Sequence, residues 1–240
     1  RELVALHGEG WRHFHIINCR GHRFIGNGMG EDTGDVSIDV YQSAGDYLAS
    51  GNDGMTIHMH GNGQDQIGQI HKRGTTVVHG DVGQCYGYGA KGGRLFILGN
   101  AAGRPMINSV GGPKLVVNGT ALDYLAESFM AGDPLDKSNP GGFVIINGIE
   151  FSAKGEITEL ETPYPGGNLF SLSSGGAIYV RDPHHRLSSS QLNGGGFCDL
   201  GEEDWALVED MLVENQQHFG IPLARLLTVD GEMWAPSAVY

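Results

Sequence analysis

A short aliphatic run closed by glycine recurs at nearly constant spacing, and this periodicity constrains the fold more than any other feature of the chain. The runs are MTIHMHG (55–61), TTVVHG (75–80), RLFILG (94–99), KLVVNG (114–119) and FVIING (143–148). Their closing glycines, Gly61, Gly80, Gly99, Gly119 and Gly148, are 19, 19, 20 and 29 residues apart. The glycines that open the runs, Gly34, Gly54, Gly74, Gly93, Gly112 and Gly142, step by 20, 20, 19, 19 and 30. The long last step is explained by an insertion at 133–140, DPLDKSNP, which has the composition of a surface loop. Six coils are visible between Gly34 and Gly148. Helix–turn–helix repeats need 33 residues or more, so a period near 20 points to a solenoid of short strands.

Aligning the runs on the closing glycine makes the strand character explicit. The second residue before it reads Met59, Val78, Ile97, Val117, Ile146, and the fourth reads Ile57, Thr76, Leu95, Leu115, Val144. Residues two apart share a strand face, so both columns are expected to point inward and stack rung on rung. Nine of the ten are apolar, and their burial is worth roughly 14–27 kcal/mol gross, an upper bound. Glycine at each corner is expected to supply φ > 0 for the turn. An antiparallel meander would need hairpin signals between runs, and these are missing. The connections carry a second weak strand per rung, as at 63–67 and 83–86. The fold class is therefore all-β, a parallel β-helix of about 20 residues per coil.

The third residue before the glycine should face outward: His58, Val77, Phe96, Val116, Ile145. Four adjoining apolar side chains on an outer surface require a cover. Either a protein partner supplies it, making Val77, Phe96, Val116 and Ile145 an interface, or the C-terminal segment does. That segment carries Trp205, Val208, Leu212 and Phe219 at helical spacing, with Met211 adjoining. Asp199 is the expected N-cap, Glu202, Glu203 and Asp204 complement the helix dipole, and Gly220 then Pro222 stop the helix. The expected organisation is a β-helix with its lead-in over 1–180, and a tail over 181–240 with one amphipathic helix at about 202–219.

Composition narrows the function. Glycine supplies 40 positions, yet Pro is only 9 and aliphatic runs recur, which excludes collagen and low-complexity linkers. A net charge of −13 argues against nucleic acid or an anionic membrane as partner. No apolar run approaches the ~18 residues of a membrane span. Cys19, Cys85 and Cys198 are scattered and without C-x-x-C spacing, which fits a reducing, cytoplasmic compartment and excludes a self-contained cysteine metal centre.

Five groups could carry chemistry. Gly87-Tyr-Gly89-Ala-Lys-Gly92 matches the dinucleotide fingerprint, but a strand follows it where a helix is required, so it reads as a solenoid corner. His58, His60 and His79 should share an outward face, with His60 and His79 in one column of adjacent rungs ~4.8 Å apart. A zinc site there would still want a fourth ligand and supporting groups, and the column continues as Leu98, Asn118 and Asn147, a polar ladder. Asp182 to Arg186 (DPHHR) gathers charge after the strand AIYV, without a nucleophile, and reads as a solvated loop or subunit contact. Cys85 lacks a nearby activating base and reads as a wall residue. Arg104, a lone cation among small residues, is placed to hold an anion or a partner carboxylate. The Asn118-Gly-Thr120 sequon matters only in a secreted protein.

The rungs resemble a known family. Gly80-Asp-Val-Gly83-Gln-Cys-Tyr-Gly87 is a full glycine repeat. NDGMTIHMHGN (52–62), VVHGDVGQ (77–84), YGAKGGRLFILGNAAGR (88–104) and YLAESFMAGD (124–133) are similar to the GXGXG domain. That domain closes the large subunit of glutamate synthase and recurs as the C subunit of formylmethanofuran dehydrogenase. The likeness spans about residues 20–180, and the tail from Arg181 lies outside it. The resemblance implies a right-handed parallel β-helix without catalytic, cofactor-binding or metal-binding residues of its own. It also implies FMN or FAD, iron–sulfur clusters or an amidotransferase nucleophile on other protein subunits. The expected role is a scaffold in a cytoplasmic oxidoreductase complex, contacting partners through Val77, Phe96, Val116, Ile145 and Arg104. Two alternatives stand beside it: a direct contribution to glutamate synthase-type amidotransfer, and an independent enzyme using the outer-face histidines.

Overall fold

Residues alternating inward and outward along each run pair in parallel and in register with the runs one rung away. In the computed structural model, which describes residues 1–152 and 155–240, helix α1 (Glu2–Gly8) leads into seven strands. These are β1 (His13–Ile16), β2 (Ser37–Tyr41), β3 (Asp53–His60), β4 (Arg73–Val78), β5 (Arg94–Ile97), β6 (Lys114–Val117) and β7 (Phe143–Ile146). A hairpin of β8 (Ile149–Phe151) and β9 (Ile157–Glu159) follows, then β10 (Ala177–Val180), α2 (Glu202–Phe219), the short α3 (Leu223–Leu226) and a small β11–β12 ribbon (Thr228–Val229, Glu232–Met233). The main sheet has the order β1-β2-β3-β4-β5-β6-β7-β10, every pair parallel. This is the expected β-solenoid. Strand β1 is a rung that the glycine spacing does not reveal.

Both aliphatic columns point inward and are fully buried, Thr76 included. They run in register from Ile38 to Ile178 and from Val40 to Val180. Buried Thr76 is satisfied by the Nε2 of His71 at 3.1 Å. His71 lies inside the solenoid, its Nδ1–H on the Gly92 carbonyl at 3.1 Å. Burial pushes its pKa down to about 4 despite that hydrogen bond.

The far wall is not the second strand expected at 63–67 and 83–86. Each coil there places positive φ on alternate residues: Tyr47, Ala49, Gly51, then Gln66, Gly68, Ile70, then Cys85, Gly87, Gly89, then Arg104, Met106, Asn108, then Tyr124, Ala126, Ser128. The N–H groups of successive left-handed residues reach opposite neighbouring rungs. Cys85 N–H donates forward to the Gly103 carbonyl at 3.0 Å, and Gly87 N–H donates back to Ile67 at 2.8 Å. The residues between, such as Leu48, Ile67, Tyr86 and Leu125, are buried in the core. Many left-handed positions are not glycine, and they carry strain that only this inter-rung bonding offsets. Gly87-Tyr-Gly89 belongs to this wall and leads into β5, as a corner reading requires.

Positive φ is found as expected at Gly148 and at the opening glycines Gly54, Gly74 and Gly93, but three of the closing glycines serve a different purpose. Gly80, Gly99 and Gly119 do not have positive φ. A Cβ on them would strike the side-chain Oδ1 atoms of Asn62, Asp81 and Asn100 in the preceding rung. Those oxygens accept the N–H of Asp81 at 2.9 Å, Asn100 at 2.7 Å and Thr120 at 3.0 Å. Each glycine therefore makes room for an Asx oxygen that ties one coil to the next.

The outer face is where expectation divided, and the structure resolves it. Val77, Phe96, Val116 and Ile145 are fully buried in a second core with Val208, Met211, Leu212, Ile221 and Leu226. The chain's own α2 covers the stripe, so those four residues are not available to a partner. The helix occupies 202–219, with Gly220 at φ +70 as its left-handed C-cap. Its N-cap is Gly201 and not Asp199; Asp204 in the first turn instead accepts the Tyr179 hydroxyl at 2.6 Å. Among the described residues no helix is long and apolar enough to cross a membrane.

Candidate functional site

The outer sheet face has two halves. Strands β4 to β10 present apolar residues that α2 covers, whereas β1 to β3 present His13, His15, Ser37, Asp39, Thr56 and His58, whose register follows directly from the strand pairing. Asp39, His58 and Val77 form one outward column, so the change from polar to apolar falls between β3 and β4. At that boundary the last turn of α2 delivers His218 and Phe219, and the site is built there.

The column ahead of the closing glycines becomes a stack of rings. Tyr41 lies on His60 with centroids 4.7 Å apart, and His60 lies on His79 at 4.8 Å. His58 Nδ1 and His79 Nε2 are 3.4 Å apart, and the His58 ring meets His218 edge-on at 5.4 Å. Phe219 closes over His79 at 5.2 Å, and His218 tilts against Phe96 at 4.8 Å. The acids sit at the periphery. Asp39 accepts from His60 Nε2 at 2.7 Å and lies 3.8 Å from His15 Nδ1. Glu214 pairs with His218 at 3.4 Å and with Arg94, which also reaches Asp210 at 2.7 Å.

The electrostatics follow from this placement. Desolvation beneath the helix end pushes His79 down to about 4, helped by repulsion from His60, His58 and His218. Burial likewise lowers His58, with His218 and His60 adding to it and Asp39 opposing. Both shifts favour the neutral imidazole. His60, against Asp39, keeps a partly exposed ring, whereas His218, against Glu214, is more enclosed; the first pair is the one open to a substrate for acid–base work. Among the described residues no group of three or more His, Cys, Asp or Glu side chains is arranged to hold a metal ion.

The remaining candidates are dispersed. Arg104, on the far wall, donates to Glu127 at 2.6 Å and lies 4.5 Å over the Tyr124 ring, so the carboxylate it holds is the chain's own. Cys85 faces Arg104 in space although no base is near it in sequence; burial still raises its thiol pKa. Asp182 caps the turn by accepting the N–H of Arg186 at 2.9 Å and of Leu187 at 2.8 Å, and His184 pairs with Glu159 at 3.3 Å. Asn118, the sequon residue, is fully buried against Asn215. Sequence reasoning grouped His58, His60 and His79 but missed Asp39, His218 and Phe219. The 19-residue step from Asp39 to His58 was a signal for the first; no spacing announces where a distant helix ends.

A family model described as "GXGXG motif" matches residues 16–228. The match runs through α2 and α3, so most of the tail that seemed to lie outside the resemblance is part of it. No curated protein and no solved structure gives a significant match.

Proposed function

The chain belongs to the GXGXG motif family, and from that premise we propose that it is a structural, non-catalytic subunit of a cytoplasmic, glutamate synthase-like oxidoreductase complex. On this reading flavin and iron–sulfur clusters, or an amidotransferase centre, sit on partner subunits, and the solenoid holds those partners at fixed separation. The observation that carries it is the continuity of the interior. One core runs from Phe14 in the first rung to Leu169 near the last, and α2 is locked along it by a second core. A body stacked this way transmits force without bending. Surfaces open to partners include the uncovered polar face of β1 to β3 and the far wall around Arg104 and Tyr124.

Native size-exclusion chromatography tests this. The chain should co-elute with subunits that carry flavin absorbance and iron, and Arg104→Glu should weaken that association. Turnover of a substrate by the isolated chain would overturn the reading.

One contact favours a second reading, acid–base catalysis on a small polar substrate: the 2.7 Å pair of His60 and Asp39 on an open face. On that reading the isolated chain turns over a substrate and Asp39→Asn abolishes the turnover; on the bracing reading the isolated chain has no turnover for the substitution to remove.

A further inference from the structure

The two ends of the solenoid are finished differently. At the first rung Leu3 and Leu6 of α1 pack against the core and close it. At the last rung β10 is the terminal strand of the sheet. Arg181 N–H donates to Ile146, while Asp182 N–H points the other way and donates to Val239 at 2.8 Å. Strand alternation then aims the N–H and C=O of Ile178 and Val180 away from β7, and among the described residues these groups have no hydrogen-bond partner. Their side chains end the two inward columns and are only half-buried, whereas every member from β2 to β7 is fully buried.

Beside this edge lies a cavity of about 540 Å³, walled by β10, by residues 194–200 and by the last residues of the chain. Its apolar lining includes Leu187, Leu192, Phe197 and Leu200, and its charged groups are Asp182, Asp199 and Asp204 against the single imidazole His185. Val239 already occupies one position along the edge, so the edge is accessible to a pairing backbone.

We infer that this groove is a strand-addition site, which takes an extended segment of a partner polypeptide carrying alternate apolar residues and at least one Lys or Arg. The main chain would pair with Ile178 and Val180, alternate side chains would stack on the ends of the two columns, and the cation would meet the aspartates. The inference rests on the bracing reading above, for which it names an anchoring point.

The test uses the full chain and a fluorescein-labelled, acetylated octapeptide, Lys-Val-Thr-Val-Thr-Val-Thr-Lys, followed by fluorescence anisotropy. Saturable binding is expected. It should weaken at least tenfold when alternate backbone nitrogens of the peptide are methylated, and severalfold with Asp199→Lys. Ile178→Pro should also weaken it at least tenfold while the chain still folds with a cooperative transition, because that N–H serves no ladder bond and only the half-buried side chain's packing is lost. No binding at millimolar peptide, or equal binding of the methylated peptide, would overturn the inference. So would self-association abolished by Ile178→Pro, which would make the occupant a second copy. Peptide binding without co-elution of any cofactor-bearing subunit would sink the bracing role and leave the groove standing. Co-elution unaffected by Ile178→Pro, with no peptide binding, would do the reverse.

Discussion

Asn118, just past β6, and Asn215 on α2 exchange two side-chain hydrogen bonds, at 2.9 and 2.8 Å, with both residues fully buried. Asn118 also donates to the Ile97 carbonyl and accepts from Asn147, whose own carbonyl oxygen takes the Tyr240 hydroxyl. This network fixes the sliding register of the helix on the sheet, which apolar contact alone leaves loose, because apolar attraction has no direction.

Asn215→Ala leaves buried amide groups of Asn118 short of partners, at a cost of about 1–3 kcal/mol. Asn118→Ala should cost a similar amount. In urea denaturation the double variant should lose less than the sum of the singles, with a coupling of about 0.5 kcal/mol or more. Strict additivity would show that the pair does not act together.

Phe96→Asp places a carboxylate beneath α2, among Val77, Val116 and Met211. Loss of the ring together with burial of a charge should destabilise the isolated chain by more than about 4 kcal/mol, read as a fall in the urea midpoint. An unchanged midpoint would mean that α2 leaves this face in solution.

The inward columns were legible because strand alternation and the 19–20 residue step combine into one pattern that needs no tertiary information. The occupant of the outer stripe was not: Val77 and Phe96 demand a cover, but an internal helix and a partner satisfy the same demand. Gly80 and Gly99 were correctly singled out for the wrong physical reason, since sequence shows the missing Cβ but not the Asx oxygen that needs its space. The left-handed wall left still less trace. Cys85, Arg104 and Tyr124 have no intrinsic preference for positive φ and hold it only because neighbouring rungs impose it. His218 joined the histidine site through the length of α2, a property of packing rather than of local spacing.

Stability should fall with acid in a defined window. His71 and His79 are pushed down to about 4, and His58 is lowered too, against an ordinary value of 6.5. Between those limits the unfolded chain binds more protons than the folded one, so the stabilisation is whole above about pH 6.5 and is lost as the pH drops toward 4. Buried His71 alone accounts for about 3 kcal/mol of this; His79 and His58, partly open to solvent, add less than their shifts imply. His79→Leu, which copies Leu98 in the same column, should flatten the decline in urea midpoint between pH 7 and pH 5. An unchanged slope would remove His79 from the linkage.

Two glycines with similar backbone angles separate conformational strain from crowding. Gly28 has φ +77 and open space for 4 Å around the place a Cβ would take, whereas Gly74 has φ +85 and a Cβ there would strike the backbone carbonyls of Met55 and Gly54. Gly28→Ala should therefore cost only the left-handed penalty, about 1 kcal/mol. Gly74→Ala must also push β4 away from β3 at the point where their register shifts, between Asp53 and Thr56. The disturbance would spread to the inward columns, because Met55 and Ile57 sit one turn below. Its cost should exceed that of Gly28→Ala by about 2 kcal/mol or more in urea denaturation. Equal costs would mean that the coils slide apart freely at this rung, which an in-register core of stacked aliphatic side chains does not permit.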